Sequence, residues 1–217
     1  MNDLFTRFFG KAYLEDYCSG VFSDELDILG YRSQVTNGFT LNNSRLRCFG
    51  RVRTLALEEM ETDDERISLG LGFLGKMAPD EVLVVKGSMD FAYFGELMTR
   101  LSMRGGLAGA VIDGLTRDTY FTQTANLPVF AKGYSPKDIK GRGRVASVDE
   151  PVTIDGTKFT SGDYLFADCD AVVAIPAAVI EPLAAVCRAS VEEEQNIKKM
   201  IADGMSVDDI LANVKAF

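Results

Sequence analysis

Three short apolar runs constrain the architecture: Val82-Leu83-Val84-Val85, Gly109-Ala110-Val111-Ile112-Asp113 and Leu127 to Ala131. Each is too short for a helix and lacks the alternation of a half-exposed strand, so each is expected to be a strand buried on both faces. Helical spacing fills the gaps, with one pattern from about Gly95 to Arg104 and a shorter one after Arg117. Upstream, Ile67, Leu71 and Leu74 repeat at helical intervals behind a capping box, Thr62-Asp63-Asp64-Glu65. Strands alternating with helices predict a parallel sheet joined by right-handed crossovers.

The flanks add an antiparallel layer. A strand is expected over Arg45 to Leu57, a hairpin over Val145 to Thr160 turning at Asp155-Gly156, and two more strands at Tyr164 to Ala167 and Val172 to Ile175. Lys132 to Arg144 is polar and glycine-rich, as a surface loop would be. Ser23 reads as the N-cap of a short helix ending at Gly30. Ala178 to Ala202 keeps helical spacing up to Asp203-Gly204, and Ser206 opens a last helix. With 217 residues, 47% of them apolar, and no linker or repeat, residues 1–217 are read as one α/β domain. Within it, residues 1–17, with Phe5, Phe8 and Phe9, form a packing arm, and residues 178–217 form C-terminal helices.

Composition removes several chemistries. The chain has no histidine, so a Ser-His-Asp triad, a Cys-His pair and a His-ligated zinc cannot be built within it. A net charge of -9 repels polyanions and argues against nucleic-acid binding. Cys18, Cys48, Cys169 and Cys187 form no C-x-x-C pair and are read as reduced core residues. The first ten residues lack the apolar core of a signal peptide. The longest apolar stretch, Ala171 to Cys187, is broken by Pro176, Glu181 and Pro182, so no membrane span and a cytoplasmic location are expected.

In a parallel α/β sheet, ligands collect where strands end and helices begin. Three segments fall there: Lys86 to Asp90, Gly95-Glu96-Leu97-Met98 opening a helix, and Asp113 to Asp118. A helix starting beside Gly95 exposes free amides to an anion. Arg117 offers a planar fork for a carboxylate, and Asp118 a hard oxygen for Mg²⁺ or Mn²⁺. A 2-oxo acid, with a carboxylate beside a carbonyl, suits such a pair.

Glu96, twenty residues, then Arg117-Asp118, with Gly105, Gly106, Gly109 and Asp113-Gly114 between them, resembles a motif of the RraA-like family. That family contains the 4-hydroxy-4-methyl-2-oxoglutarate/4-carboxy-4-hydroxy-2-oxoadipate aldolases and the regulator of ribonuclease E activity. The likeness extends over Ser23 to Gly30, Glu81 to Gly87, Gly95 to Asp118, Pro128 to Gly133 and Gly162 to Pro176. It implies a Rossmann-like layer of the swivelling β/β/α type and a homotrimer or hexamer with sites at subunit contacts. Carried over, Asp118 binds the cation, Arg117 clamps the substrate carboxylate, and the amides of Gly95 to Met98 face the same substrate. Glu96 sits in the outer metal shell, joined by Glu194 from a neighbouring subunit. The chain departs from the family at Lys86, often an acid there, and at Ala171, often a glycine. Lys86 can pair with a carboxylate, enlarge the site for a more anionic substrate, or run to the surface, and the last is expected.

The reading that follows is a metal-dependent lyase that cleaves a 4-hydroxy-2-oxo acid to pyruvate and decarboxylates oxaloacetate. A Schiff-base lysine, Lys86 or Lys132, is a second enzymatic route. A non-catalytic regulator that binds a ribonuclease is the alternative outside catalysis.

Overall fold

The computed structural model describes residues 3–61 and 67–214. In chain order the elements are α1 (Asp3–Phe9), α2 (Ser19–Ile28), β1 (Val35–Thr36), β2 (Thr40–Leu41), β3 (Cys48–Glu59), α3 (Ile67–Leu74), β4 (Glu81–Lys86), β5 (Ala92–Phe94), α4 (Glu96–Gly105), β6 (Gly109–Thr116) and α5 (Thr119–Thr122). They continue as β7 (Val129–Tyr134), β8 (Gly143–Val148), β9 (Val152–Ile154), β10 (Thr157–Phe159), β11 (Tyr164–Ala167), β12 (Val172–Ile175), α6 (Ile180–Ala202) and α7 (Val207–Asn213). The expected capping box at Thr62 to Glu65 lies outside the described residues.

One mixed sheet organises the chain in the order β1-β12-β11-β3-β4-β6-β7-β2, with β5 added to β6 and β8 to β3. Its middle, β3-β4-β6-β7, is parallel. Leu83 and Val85 face a cluster that includes Phe73 of α3 and Met98 of α4. Val82 and Val84 face another cluster that takes in Ile154 and Phe159 of the β9–β10 hairpin. The core strands are therefore covered on both sides, which is why they read as unbroken apolar runs. A third cluster seats α1, α2 and α6 over Phe49, Phe166 and Ile175. Phe5, Phe8 and Phe9 are buried there, Phe5 and Phe9 stacked at 4.4 Å. Among the described residues, no helix is long and apolar enough to cross a membrane.

Several expectations are corrected. The first interior helix begins at Ser19, so Ser23 lies inside it rather than capping it. The cap comes from a distant residue: Asp168, nearly buried, accepts the Ser19 amide at 2.8 Å on one oxygen and the Asp170 and Ala171 amides at 3.0 and 3.3 Å on the other. The hairpin is confined to β9 and β10, with Asp155 and Gly156 both at positive φ, as a two-residue primed turn requires. β8 instead pairs with the far half of β3. The loop after β7 is shorter than the polar composition indicated, because β7 continues through Lys132 and Gly133 to Tyr134. All four cysteines are free, but only Cys48 and Cys187 are buried; Cys169 is exposed in the turn that Asp168 organises.

Candidate functional site

β5 and β6 lie parallel, and the Arg117 amide donates to the Phe94 carbonyl at 3.0 Å. That pairing brings the Gly95 turn, which precedes α4 in the chain, and the Arg117-Asp118 dipeptide, which follows β6, together at the N-terminus of α4. Gly95 is the N-cap of α4 and has no side chain to satisfy the first-turn amides. Asp118 does so instead: its Oδ2 accepts the Glu96 amide at 2.9 Å, placing a carboxylate at the positive end of the helix dipole. The Thr99 amide already closes on the Gly95 carbonyl, leaving Leu97 and Met98 in the unpaired first turn. Asp118 is in the left-handed region, φ 60°, and starts α5 from that conformation. A side chain at position 95 would collide with Asp118 Oδ2 and would meet Arg117 Cγ at 3.0 Å. The missing side chain at Gly95 is thus what lets the Asp118 carboxylate sit against the helix start.

Arg117 lies between two acids. Its Nε is 3.8 Å from Asp118 Oδ2, and its Nη1 is 3.1 Å from Asp138 Oδ2 on the loop after β7. Asp118 Oδ1 has no hydrogen bond or ion pair among the described residues. Beside these groups opens a cleft of about 360 Å³ lined by Arg117, Asp118, Thr119, Tyr134, Ser135 and Pro136.

Glu96 is held from both sides. Arg100 donates from Nε to Glu96 Oε1 at 2.8 Å and stacks on the Phe121 ring at 4.1 Å, while the Tyr120 hydroxyl donates to Glu96 Oε2. The Tyr120 hydrogen bond, followed by Arg100, draws the Glu96 carboxyl below its ordinary value, and Glu96 in turn raises the Tyr120 phenol.

Sequence reasoning selected Gly95, Glu96, Leu97, Met98, Arg117 and Asp118, and the fold places all six at one end of α4. It missed Asp138 and Tyr120, whose contacts come from loop and helix segments without a motif of their own. Glu194 lies on α6, ion-paired with Lys198 at 2.7 Å, and does not line the cleft. Lys86 reaches the surface, as expected, and there bonds Asp113, its register partner on β6. Lys132 donates to Asp155 at 2.6 Å and to the Asn37 carbonyl at 3.0 Å, over the Phe39 ring. Neither lysine has the apolar, unpaired surroundings that make an amine nucleophilic.

Residues 20–174 match the family model described as RraA-like, Aldolase/RraA. The chain belongs to that family. Among its relatives, a Laribacter hongkongensis protein named "Putative 4-hydroxy-4-methyl-2-oxoglutarate aldolase" is 34% identical over 71% of this chain and 91% of its own length. Protein DlpA of Legionella pneumophila is 26% identical over 88% of this chain, which spans only 31% of that relative. The solved structure of Streptomyces coelicolor RraAS2, described as an unusual member of the RNase ES inhibitor RraA protein family, superposes with a TM-score of 0.75 at 25% identity, covering 85% of this chain and 93% of that one. The RraA-like chain thus has relatives named for an aldolase and for a ribonuclease inhibitor, and the site must distinguish between those activities.

Proposed function

We propose that the protein is a divalent-cation-dependent carbon–carbon lyase that cleaves a 4-hydroxy-2-oxo acid to pyruvate and also decarboxylates oxaloacetate. The observation that carries this reading is the seat at the α4 N-terminus, where Asp118 is fixed by the Glu96 amide while its Oδ1 stays open, with Arg117 beside it over a cleft. The donor set suits Mg²⁺ or Mn²⁺, which take one or two carboxylates and keep water and substrate oxygens for the rest. Among the described residues no three acidic or thiol groups converge, so a cation here would have Asp118 as its carboxylate from this chain and water or substrate oxygens for the rest. Asp118 would hold such a cation, whose charge would lower the cost of negative charge on the substrate's C2 oxygen.

The chain's own residues do the rest. Arg117 pairs with the C1 carboxylate, and the first-turn amides of α4 add positive potential at the same place. Glu96, kept ionised by Tyr120 and Arg100, is a base within the site for the C4 hydroxyl proton, received through water. Oxaloacetate needs no such base, because carbon dioxide leaves without a proton transfer. Glu194 of a neighbouring copy is proposed to approach from outside the chain, in a homotrimer or hexamer.

The test is a coupled pyruvate-release assay over 4-hydroxy-2-oxo acids and oxaloacetate, with Mg²⁺, Mn²⁺ or EDTA. Turnover that persists in EDTA would remove the metal-dependent mechanism. The likeness to RraAS2 favours one second reading, a regulator that binds a ribonuclease. Absence of turnover together with specific capture of a ribonuclease would establish it.

A further inference from the structure

A guanidinium can grip a carboxylate through either of two planar forks, an end-on pair from Nη1 and Nη2 or a side-on pair from Nε and Nη2. In Arg117 the two are not equivalent. Asp138 Oδ2 lies 3.1 Å from Nη1 and so engages the end-on fork, while Nε, on the side-on edge, is the atom that approaches Asp118 Oδ2, at 3.8 Å. Asp138 thus holds the far end of the guanidinium, and the side-on edge borders Asp118. That edge suits a 2-oxo acid, whose carboxylate and carbonyl sit on adjacent carbons. A carboxylate seated there keeps the carbonyl on the Asp118 side.

The backbone, rather than the carboxylate, puts Asp138 in place. Its loop is docked on β5: the Ala92 amide donates to the Lys137 carbonyl at 2.8 Å, Ala92 and Asp138 form a parallel bridge, and Lys137 pairs with Asp90 at 2.9 Å. Arg142 then donates to the Asp138 carbonyl at 3.0 Å. Within the loop, Asp138 Oδ1 accepts the Lys140 amide at 3.4 Å, so it is Oδ2 that turns to Arg117. The Arg117 and Asp138 side chains are 35% and 46% exposed, where an ion pair adds little to folding; what the contact supplies is orientation. We propose that Asp138 is a positioning residue, which fixes the Arg117 guanidinium so that its Nε–Nη2 edge receives the substrate carboxylate beside Asp118. This rests on the 2-oxo acid reading of the site and adds the residue that sets how the substrate approaches.

The test variant is Asp138→Asn, which keeps an oxygen for the Lys140 amide but turns an NH2 group toward the guanidinium. Pyruvate is titrated calorimetrically into the whole chain with Mn²⁺ present, and Mn²⁺ alone is titrated separately. Asp138→Asn should weaken pyruvate binding about tenfold while Mn²⁺ affinity stays within about twofold, and Asp138→Glu should recover pyruvate binding to within about threefold of wild type. With oxaloacetate, KM should rise about tenfold in Asp138→Asn with kcat within about threefold, the pattern of lost substrate binding. Unchanged pyruvate affinity in Asp138→Asn would overturn the proposal, as would an equal loss of Mn²⁺ affinity, which would mark a structural role. Failure of the wild type to bind pyruvate would overturn it together with the reading beneath it. The expected binding losses without turnover of any 2-oxo acid would keep the positioning role and remove the lyase, whereas turnover indifferent to Asp138→Asn would keep the lyase and remove the positioning role.

Discussion

The same strands end in two charged clusters, on opposite sides of the sheet, and they are built differently. On one side Lys86 of β4, Asp113 of β6 and Lys132 of β7 join Asp155 of the β9–β10 turn, and every charge has a partner: Lys86 with Asp113, Lys132 with Asp155. On the other, around the start of α4, Asp118 has one oxygen bound and one open, and Arg117 is shared between two acids above a cleft. Both lie where α/β sheets collect ligands, so position alone does not separate them. What separates them is incomplete pairing: a closed ion pair clips the hairpin and the segment around Asn37 to the sheet, while a half-satisfied carboxylate beside a guanidinium can still bind something.

The difference predicts unequal effects of mutation. Asp118→Ala should lower kcat/KM for pyruvate release by at least about 10²–10³-fold, since it removes the open oxygen and the partner of the Glu96 amide. Lys86→Met and Lys132→Met, by contrast, should stay within a few-fold of wild type and give no borohydride-trapped pyruvate adduct; a trapped adduct in the wild type that disappears in either variant would reverse the ranking of the two clusters. Gly95→Ala comes next. Its methyl would displace the Asp118 carboxylate, so activity should fall by about tenfold to a hundredfold with the melting temperature little changed.

How much of this contrast was legible beforehand depends on the range of the interactions. Val82 to Val85 and the strands at Tyr164 and Val172 could be read from the chain because burial on both faces imposes apolar runs. The Glu96 and Arg117-Asp118 spacing was legible through the family resemblance, and the adjacent, parallel β5 and β6 turn that sequence interval into a spatial contact. Non-local satisfaction was not legible. Ser23 looked like a cap, but Asp168, 149 residues from Ser19, performs that role for α2. The choice of Asp113 as the partner of Lys86 was not legible, because it sits on another strand, and Asp138 and Tyr120 carry no local signature because their contacts with Arg117 and Glu96 are made across the fold.

Tyr120 tests whether the open cluster is tuned as well as open. Tyr120→Phe removes the hydrogen bond that does most to hold the Glu96 carboxyl below its ordinary 4.5. Arg100 on α4 would then be the remaining partner of the Glu96 carboxylate, and Glu96 would take up a proton at a higher pH. The acid limb of the kcat–pH profile should move upward, with kcat reduced about three- to tenfold and KM nearly constant. An unmoved acid limb would show that Tyr120 only packs at the surface.

The smallest effect is expected in the closed cluster, and it concerns stability. Lys132 is the main cause of the lowered Asp155 carboxyl, with Thr36 and Lys86 as further contributors. Because the folded value lies below the ordinary 3.8, folding favours the ionised form; the pair's contribution is therefore present above pH 3.8 and fades as pH falls through the depressed folded value. Asp155 is more than half exposed, so the ion pair contributes at most about 1 kcal/mol. Urea unfolding of Lys132→Met should show a deficit that is constant from pH 7 to about pH 5 and shrinks at lower pH. A residue of that deficit should survive acidification, since the Asn37 carbonyl and the Phe39 ring also lose their contact with the ammonium and neither titrates. A deficit that instead grew toward acid would mean that Asp155 is not the group Lys132 stabilises, and the two sides of the sheet would no longer differ in how completely their charges are paired.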